Sequence, residues 1–407
     1  MAEQLTEKGM SVRRYLKRLG PGVITAALVF GPGSLTINTK LGASYGYSLI
    51  WVILLSMVLM EGFTRMASHI GLSSTDSFIT MIKSSFGKPL GYIVGIGVFL
   101  TTASFQAGNT IGASIAFSEL FQTPVVLWIS LFSLAAISLL FFKSFYQILE
   151  KLMIGLVVLM LGSFMVTIVM AAPDLLEIMK GMVPSVPSGS EYLIITLTAS
   201  SFSIVGAFYQ SYLVREKGYS IEDKAACTQD SRTGIIILGL LSTLVMVCAA
   251  AVLKNQNIEV RSASDLGMAL EPLFGPFTSK AFMIGFFAAS FSSMVGNATI
   301  GGVILADTFF QENSLSSAKV RYMVMVVIVI GAVVAFIFGH LPLEFIIFAQ
   351  GITVMLVPIA AVTILIFANS KNMPTGFTNS KYLNVLGVTG ITVLLVMSAF
   401  SIKYIWF

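Results

Sequence analysis

The sequence predicts an all-α polytopic membrane protein with about eleven transmembrane helices. Of its 407 residues, 56% are hydrophobic and only 11% are charged, and the mean hydropathy is +0.90. A soluble domain usually carries about 25% charged residues, so one membrane domain accounts for nearly all of the chain. Gly31-Pro32-Gly33 also interrupts the first apolar stretch, where proline cannot continue a helix. A broken span survives only around a protein-enclosed cavity, which indicates a transporter's binding site.

Apolar stretches follow one another along the whole chain, and each approaches the roughly 20 residues that cross a bilayer. In chain order they cover residues 22–46, 48–69, 90–117, 124–142, 146–171, 192–214, 233–253, 280–309, 322–340, 343–369 and 383–405. The longest connections between them are residues 172–191, 215–232 and 254–279. None of these connections is long enough to form a soluble domain.

An odd number of spans fits an inverted repeat of five plus five helices with one helix added. The expected order is a cytoplasmic segment at 1–19, a first repeat at 20–171, a second repeat at 172–369 and an additional helix within 370–407. Helices 1 and 6 are then the two broken helices that the repeat relates. Helix 6 contains Ser201–Ser211, where Gly206 and several serines could permit unwinding although no proline enforces it.

The basic residues predict the orientation of the chain in the membrane. With the N-terminus in the cytoplasm, most of the 24 Lys and Arg residues fall on the cytoplasmic side, as the positive-inside rule requires. We therefore expect a multi-pass protein of the inner or plasma membrane, with a cytoplasmic N-terminus and an outside C-terminus. Residues 1–19 are polar and basic and lack the apolar core of a signal peptide, so no cleaved leader is expected.

The remaining composition limits the partners and the chemistry. The net charge of +5 is attributed to basic loops that face anionic lipid, so the bilayer is one partner and a small molecule or ion is the substrate. No nucleic-acid partner is expected, because no soluble region could carry a basic patch. Cys227 and Cys248 lack motif spacing, and two histidines supply no catalytic constellation, so neither a cofactor nor an enzyme is expected. The oligomeric state stays open, and a monomer is compatible with the sequence.

Several motifs in this chain resemble those of one known family. They are Gly20-Pro21-Gly22, Gly31-Pro32-Gly33, Leu41-Gly42-Ala43-Ser44-Tyr45-Gly46-Tyr47, Asn109-Thr110-Ile111-Gly112-Ala113, Ala288-Ala289-Ser290-Phe291-Ser292-Ser293, and Gln350 with Pro358. The chain resembles the NRAMP (natural resistance-associated macrophage protein) family of divalent-metal transporters over essentially its whole length. This resemblance implies the LeuT-type inverted-repeat fold and proton-linked uptake of manganese or ferrous iron.

The residues that the resemblance assigns to metal binding are replaced in this sequence. The family builds its site from an Asp-Pro-Gly-Asn turn in helix 1 and a Met-Pro-His turn in helix 6. The aligned residues are Gly31, Ser34, Ala207, Phe208 and Tyr209 at these turns, Gln106 and Asn109 at the acidic pair of helix 3 tied to proton passage, and Leu356 at a helix 10 glutamine. A dehydrated divalent cation needs charged or soft ligands to offset the loss of its water. We therefore expect neither the standard metal site nor the usual proton relay.

The candidate site residues follow from the two breaks and from polar side chains at membrane depth. Those expected to bind substrate are Gly31, Gly33, Ser34, Ala207, Tyr209, Gln210, Gln106 and Asn109. Those expected to serve gating or coupling are Glu61, Arg65 and Gln350. Because Glu61 precedes Arg65 by four residues on one helix face, a structural ion pair and a gating role both remain open.

Three functions fit these observations. The first is a secondary transporter that works by alternating access and moves a divalent cation such as Mg²⁺ or Mn²⁺ through a non-standard site, which the whole-chain resemblance favours. The second is a carrier of a neutral or zwitterionic organic solute, since half-helix N-termini can hold a carboxylate and unwound carbonyls an ammonium or sodium ion. The third, a transport-dead sensor, is disfavoured because no soluble domain is left to pass on a signal.

Overall fold

The structure is a computed structural model that describes residues 20–142, 144–254, 265, 267, 271, 275–338, 357–371 and 373–406. The elements of these residues are helical throughout. In chain order they are α1 (Pro21–Val29), α2 (Pro32–Tyr45), α3 (Ile50–Ser73), α4 (Phe78–Phe86), α5 (Lys88–Phe121), α6 (Val125–Leu139), α7 (Phe145–Ala171), α8 (Leu175–Lys180), α9 (Glu191–Ser201), α10 (Ile204–Glu216), α11 (Lys224–Leu253), α12 (Pro276–Phe310), α13 (Ala318–Phe338), α14 (Val357–Ala368) and α15 (Lys381–Trp406).

The expected multi-span architecture is confirmed. Among the described residues, eight helical stretches are long and apolar enough to cross a membrane, with α9 and α10 counted as one, and the bent pair of α1 and α2 makes a ninth. Helices α6 and α14 are apolar but shorter. Each of the predicted spans therefore overlaps a helix or a helix pair, although residues 343–356 of the tenth lie outside the described part of the chain.

The first span is broken where the sequence predicts it. α1 ends at Val29, α2 begins at Pro32, and the chain bends by 60° between them. Proline suits the first turn of a helix, where its missing N–H has no partner to lose, but it could not have continued α1. Gly31 is extended (φ −107°, ψ −173°), so the chain leaves one helix before it starts the next.

The sixth span is also broken, within the predicted stretch Ser201–Ser211 but before Gly206. α9 ends at Ser201 and α10 begins at Ile204, so Phe202 and Ser203 form the break. The side chain of Ser203 accepts a hydrogen bond from the backbone N–H of Gly206 (3.2 Å) and caps α10. Gly206 therefore lies in the first turn of a regular helix, and the unwinding expected around it occurs three residues or more before it.

Helix α12 lies behind the first break and packs against α1, α5, α7 and α13. Small residues permit these close approaches. A Cβ atom added at Gly296 of α12 would lie 2.4 Å from Leu28 Cβ, and one added at Gly112 of α5 would lie 2.6 Å from Pro32 Cβ. The break is thus held between α5 and α12, and these two helices supply most of the polar side chains around it.

Candidate functional site

A cavity of about 50 Å³ lies between the two helix breaks. Its lining comes from both breaks and from α5, α12, α14 and α15. The polar residues of the lining are Ser34, Thr101, Asn109, Ser200, Ser203, Ser293 and Asn297. Since one water molecule needs roughly 10–15 Å³ of such space, the cavity has room for about three to five waters or for a small solute.

The described lining of the cavity is partly polar and carries no charged side chain. None of the lining residues that the structure describes is acidic or basic, and none is a methionine or a histidine. Across the described residues, no group of three or more His, Cys, Asp and Glu side chains is placed to hold a metal ion. The available chemistry is therefore that of hydroxyls, amides and backbone groups at helix ends.

The carbonyl groups freed at the end of α1 are already paired with donors from α12. The Ser292 hydroxyl donates to the carbonyl oxygen of Ala27 (2.8 Å), and the Ser293 hydroxyl donates to that of Leu28 (3.0 Å). The amide nitrogen of Asn297 also lies 3.4 Å from the Leu28 oxygen. These contacts compensate the partial negative charge at this helix end, so a cation would have to compete with three donors for it.

At Gly31, the residue before α2, the backbone comes close to side chains of α5 and α12. A Cβ atom added there would lie 2.7 Å from Ser293 Oγ and 3.2 Å from Asn109 Oδ1. Neighbouring side chains thus occupy the space into which the aspartate implied by the resemblance would project. A longer side chain at this position requires Ser293 to move, so the replacement of the acid extends beyond one residue.

Two helices begin at the wall of the cavity with unpaired N–H groups. The first-turn N–H groups of Gly33 and Ser34 in α2, and of Ile204 and Val205 in α10, have no acceptor within the described residues. All four residues line the cavity. The N-terminus of a helix carries a partial positive charge because its first N–H groups lack intrahelical partners.

Two buried side chains in the lining also lack partners. Asn109 is 4% exposed and Thr101 is 2% exposed. Neither the amide nitrogen of Asn109 nor the hydroxyl of Thr101 has a hydrogen-bond partner in the described part of the chain. Buried polar groups are nearly always paired in folded proteins, so these two enclosed groups are among the exceptions in the described part of the chain.

The structure brings together half of the residues predicted to bind substrate. Those that line the cavity are Gly31, Gly33, Ser34 and Asn109. Those outside its lining are Ala207, Tyr209, Gln210 and Gln106. Because α10 begins at Ile204, residues 207–210 lie within a regular helix rather than at the break, and their expected position is corrected accordingly. Residues that the sequence analysis missed, Ser200, Phe202 and Thr101, line the cavity instead.

The two glutamines are buried in helix contacts outside the cavity lining. The oxygen of Gln210 accepts from the Thr25 hydroxyl (2.5 Å), and its nitrogen lies 3.1 Å from Ser231 Oγ. Gln210 therefore links α10 to α1 and α11. The amide nitrogen of Gln106 donates to the carbonyl of Met294 (2.9 Å), which joins α5 to α12. Each amide thus has an interhelical partner, as expected in a membrane span, although the oxygen of Gln106 has none among the described residues.

The Glu61–Arg65 ion pair, one of the two alternatives that the sequence left open, is not formed among the described residues. Glu61 Oε1 lies 3.6 Å from Arg232 Nη2, because α11, which carries Arg232, packs beside α3. The Nε atom of Arg65 is enclosed and has no hydrogen-bond partner among the described residues. Gln350, the third candidate for gating or coupling, lies outside the described residues.

Two buried carboxylates outside the cavity lining join elements that are distant in the chain. Asp230 of α11 accepts from the backbone N–H groups of Gly20 (2.8 Å) and Gly22 (2.9 Å), at the start of α1. Near the end of α12, Asp307 Oδ2 accepts from the Tyr212 hydroxyl (2.7 Å). The sequence analysis missed the role of Asp230, because its partners lie up to 210 residues away in the chain.

Comparisons with known proteins agree with this architecture. Residues 22–404 match the family model described as natural resistance-associated macrophage protein-like. The chain is 25% identical over 400 residues to the divalent metal cation transporter MntH of Deinococcus radiodurans, which covers 96% of this chain and 90% of the relative. It is similar to a manganese transporter of Eremococcus coleocola in complex with an aromatic bis-isothiourea substituted compound (TM-score 0.78, 20% identity, 98% of this chain and 88% of that one). It also matches Mhp1, a nucleobase-cation-symport-1 family transporter (TM-score 0.62, 14% identity, 95% and 92%). The chain therefore has the LeuT-type fold and belongs to the NRAMP family of divalent-metal transporters.

Proposed function

We propose that this protein is a secondary transporter that works by alternating access and carries a small neutral or zwitterionic organic solute. The solute binds in the cavity between the two helix breaks. The observation that carries this proposal is the cavity lining, whose described residues are uncharged and supply hydroxyls, amide side chains and two helix ends. Small-molecule sites combine apolar walls with a few polar groups of this kind.

The same lining argues against a dehydrated manganese or ferrous ion. Such ions take carboxylate oxygens, thioethers or imidazoles as ligands, and the described lining has none of them. One carboxylate at about 4 Å is worth roughly 4 kcal/mol per unit of cation charge at an effective dielectric near 20. The neutral groups at Gly31, Ser34 and Ser203 do not replace that attraction.

A divalent cation such as Mg²⁺ is the second candidate substrate. Family membership favours it, as does the relative from Deinococcus radiodurans, which is a divalent metal cation transporter. With neutral ligands only, the ion would keep part of its water shell, as Mg²⁺ commonly does in proteins. The hydroxyls and amides of the lining would then contact metal-bound water, and binding would be weak.

The proposal also covers proton coupling and the orientation of the chain in the membrane. An amide cannot titrate, so Gln106 and Asn109 cannot relay protons as an acidic pair would. The N-terminus lies in the cytoplasm and the C-terminus outside, with the repeats at 20–171 and 172–369. Glu61, Arg65 and Gln350 serve gating or coupling. The contact of Glu61 with α11 supports a gating role for Glu61.

Metal binding and transport assays test this proposal directly. Calorimetry on the purified protein is expected to show weak binding of Mn²⁺ or none, and proteoliposomes are expected to show no acidification when a metal gradient is imposed. An organic solute is expected to raise the melting temperature of the folded protein, since ligands stabilise the state that they bind. A low-micromolar dissociation constant for Mn²⁺ would overturn the proposal and favour the metal.

A further inference from the structure

We infer that a cleft at the ends of α4 and α14 binds an anionic phospholipid. Lys371 holds the headgroup phosphate, and an apolar wall holds the start of an acyl chain. The cleft is lined by residues 85–86 of α4, by residues 365–367 of α14 and by residues 369–371 that follow it. Its volume of about 530 Å³ is within the range of known small-molecule sites. The cleft is separate from the central cavity, because the two linings share no residue.

The cleft lies where apolar helices give way to polar connections. α4 joins the end of α3 to the start of α5, and both of these helices are long and apolar enough to cross a membrane. α14 is apolar and ends at Ala368, and Asn369, Ser370 and Lys371 follow it. A cleft at this level meets lipid headgroups at its polar end and acyl chains at its apolar end. Lipid is therefore the occupant that this position supplies.

The two segments that line the cleft carry lysines and no acidic residue. Residues 77–118 contain Lys83 and Lys88 and no Asp or Glu. Residues 345–407 contain three lysines, of which Lys371 lines the cleft, and again no Asp or Glu. Basic pockets between membrane helices bind the headgroups of anionic lipids. With the orientation proposed above, the cleft faces the cytoplasmic leaflet, whose surface is negative.

Lys371 and Ser85 supply the polar side chains for a phosphate. Both residues are exposed, and neither side chain has a hydrogen bond or an ion pair within the part of the chain that the structure describes. The Asn369 amide, in contrast, donates to the carbonyl of Leu365 (2.9 Å) and to the side-chain oxygen of Asn384 (2.8 Å). A lysine ammonium binds phosphate oxygens as a point charge and a serine hydroxyl donates a hydrogen bond, so the two groups fit a phosphodiester.

The apolar wall of the cleft is only partly covered by the protein. Phe86 is 46% exposed and Ile366 is 47% exposed, whereas Phe367 between them in the lining is buried. The Phe86 ring contacts the Phe367 ring edge-on, with 5.6 Å between the centroids. Apolar surface gains free energy when it is covered, and an acyl chain beside the phosphate would cover the exposed faces of Phe86 and Ile366.

Native mass spectrometry of the full-length protein in detergent tests the lipid site. The probes are phosphatidylglycerol, zwitterionic phosphatidylcholine with the same acyl chains, and inorganic phosphate. We expect phosphatidylglycerol to bind at least about fivefold more tightly than phosphatidylcholine, since one lysine near a membrane surface contributes about that factor toward an anionic lipid. We also expect phosphatidylglycerol to raise the melting temperature more than phosphatidylcholine does, because a ligand stabilises the state that it binds.

Three variants assign the headgroup preference to Lys371. Lys371→Gln removes the charge from the cleft, and we expect the preference for phosphatidylglycerol over phosphatidylcholine to fall about fivefold. Lys371→Arg keeps the charge and is expected to keep the preference. Lys403→Gln is the matched control, because Lys403 is an exposed lysine in the last turn of α15 and lies outside the cleft lining. The melting temperature without added lipid shows whether each variant folds.

Four results would overturn the lipid site. An equal loss of preference in Lys371→Gln and Lys403→Gln would mean that anionic lipid follows the general positive charge of the surface. An unchanged preference in Lys371→Gln, or equal affinities of the unmodified protein for the two lipids, would mean that the cleft does not select a headgroup. Inorganic phosphate that binds as tightly as phosphatidylglycerol would mean that the cleft holds a free anion. No transported solute enters these measurements, so their outcome is independent of the proposed substrate.

Discussion

Buried polar groups differ in their hydrogen bonding between the cavity at the helix breaks and the start of α1. At the cavity, uncharged donors such as the Asn109 amide are buried without partners among the described residues. At the start of α1, the Asp230 carboxylate is 4% exposed and accepts from two backbone N–H groups, those of Gly20 and Gly22. Among the described residues, the buried Asp230 charge therefore secures a helix end, whereas the polar groups of the cavity lining are neutral.

The largest expected effect comes from removing the charge that secures α1. Asp230→Ala leaves the N–H groups of Gly20 and Gly22 buried without an acceptor. Two hydrogen bonds to a charged group, each worth about 1.5–3 kcal/mol, place the loss at about 3–6 kcal/mol of unfolding free energy. Unfolding in mixed detergent micelles measures it.

Two other variants control this prediction. Asp230→Asn keeps one oxygen acceptor, so it is expected to cost about half as much. Asp76→Ala removes an exposed acid of the loop before α4 and is expected to stay within about 0.5 kcal/mol of the unmodified protein. Equal effects of all three variants would show that Asp230 does not hold α1.

The second carboxylate gives a smaller expected effect, because Asp307 has one hydrogen bond from a side chain. Tyr212→Phe removes the hydroxyl that donates to Asp307 Oδ2 (2.7 Å) and leaves a fully buried carboxylate without that donor. We expect a loss of about 1.5–3 kcal/mol. In an Asp307→Asn background the same change is expected to cost only about 0.5–1.5 kcal/mol, since the acceptor is then neutral. An unchanged cost in that background would contradict a charge-assisted bond.

The two helix breaks show what the sequence can and cannot predict. Pro32 and Gly31 act on their own backbone, so the first break follows from local chemistry and was predicted at the correct residues. The second break, at Phe202 and Ser203, has only the weak local signal of its serines, since no proline enforces it. The Phe202 ring packs against Phe63 of α3 (5.3 Å between centroids), and a Cβ atom at Gly390 of α15 would lie 3.0 Å from it. Contacts between distant segments thus accompany this break, and periodicity alone does not reveal them.

The site residues follow the same division. Gly31, Gly33 and Ser34 were predicted because they belong to the locally determined break. Ala207 and Tyr209 were placed by alignment to a motif that this chain lacks, so the error in the second break carried over to them. The Glu61–Arg65 ion pair was considered because spacing along one helix reveals only partners within that helix. Arg232, the partner that the structure shows, lies on another helix.

A third prediction concerns the crowding at the first break. Gly31→Ala places a Cβ atom 2.7 Å from Ser293 Oγ, and overpacking of this kind costs about 1–3 kcal/mol. Ser293→Gly in the same chain is expected to relieve the clash, so the double variant should be less destabilised than the sum of the two single variants. Gly155→Ala is the matched control, because a Cβ atom there meets nothing within 4 Å. Strict additivity of Gly31→Ala and Ser293→Gly would mean that the two positions do not compete for space.

The smallest expected effect is that of the ion pair between α3 and α11. The Arg232 side chain is 50% exposed and its Nη2 atom lies 3.6 Å from Glu61 Oε1, so solvent screens the pair. Arg232→Ala is therefore expected to change the unfolding free energy by about 0–1 kcal/mol, far less than Asp230→Ala. The transport rate, measured in the same variant, then separates two roles. A changed rate with nearly unchanged stability is expected if the pair serves gating, because breaking it shifts the balance of two folded states without unfolding either. If stability falls by several kcal/mol instead, Arg232 secures a helix contact as Asp230 does, and the contrast between exposed and buried charge is lost.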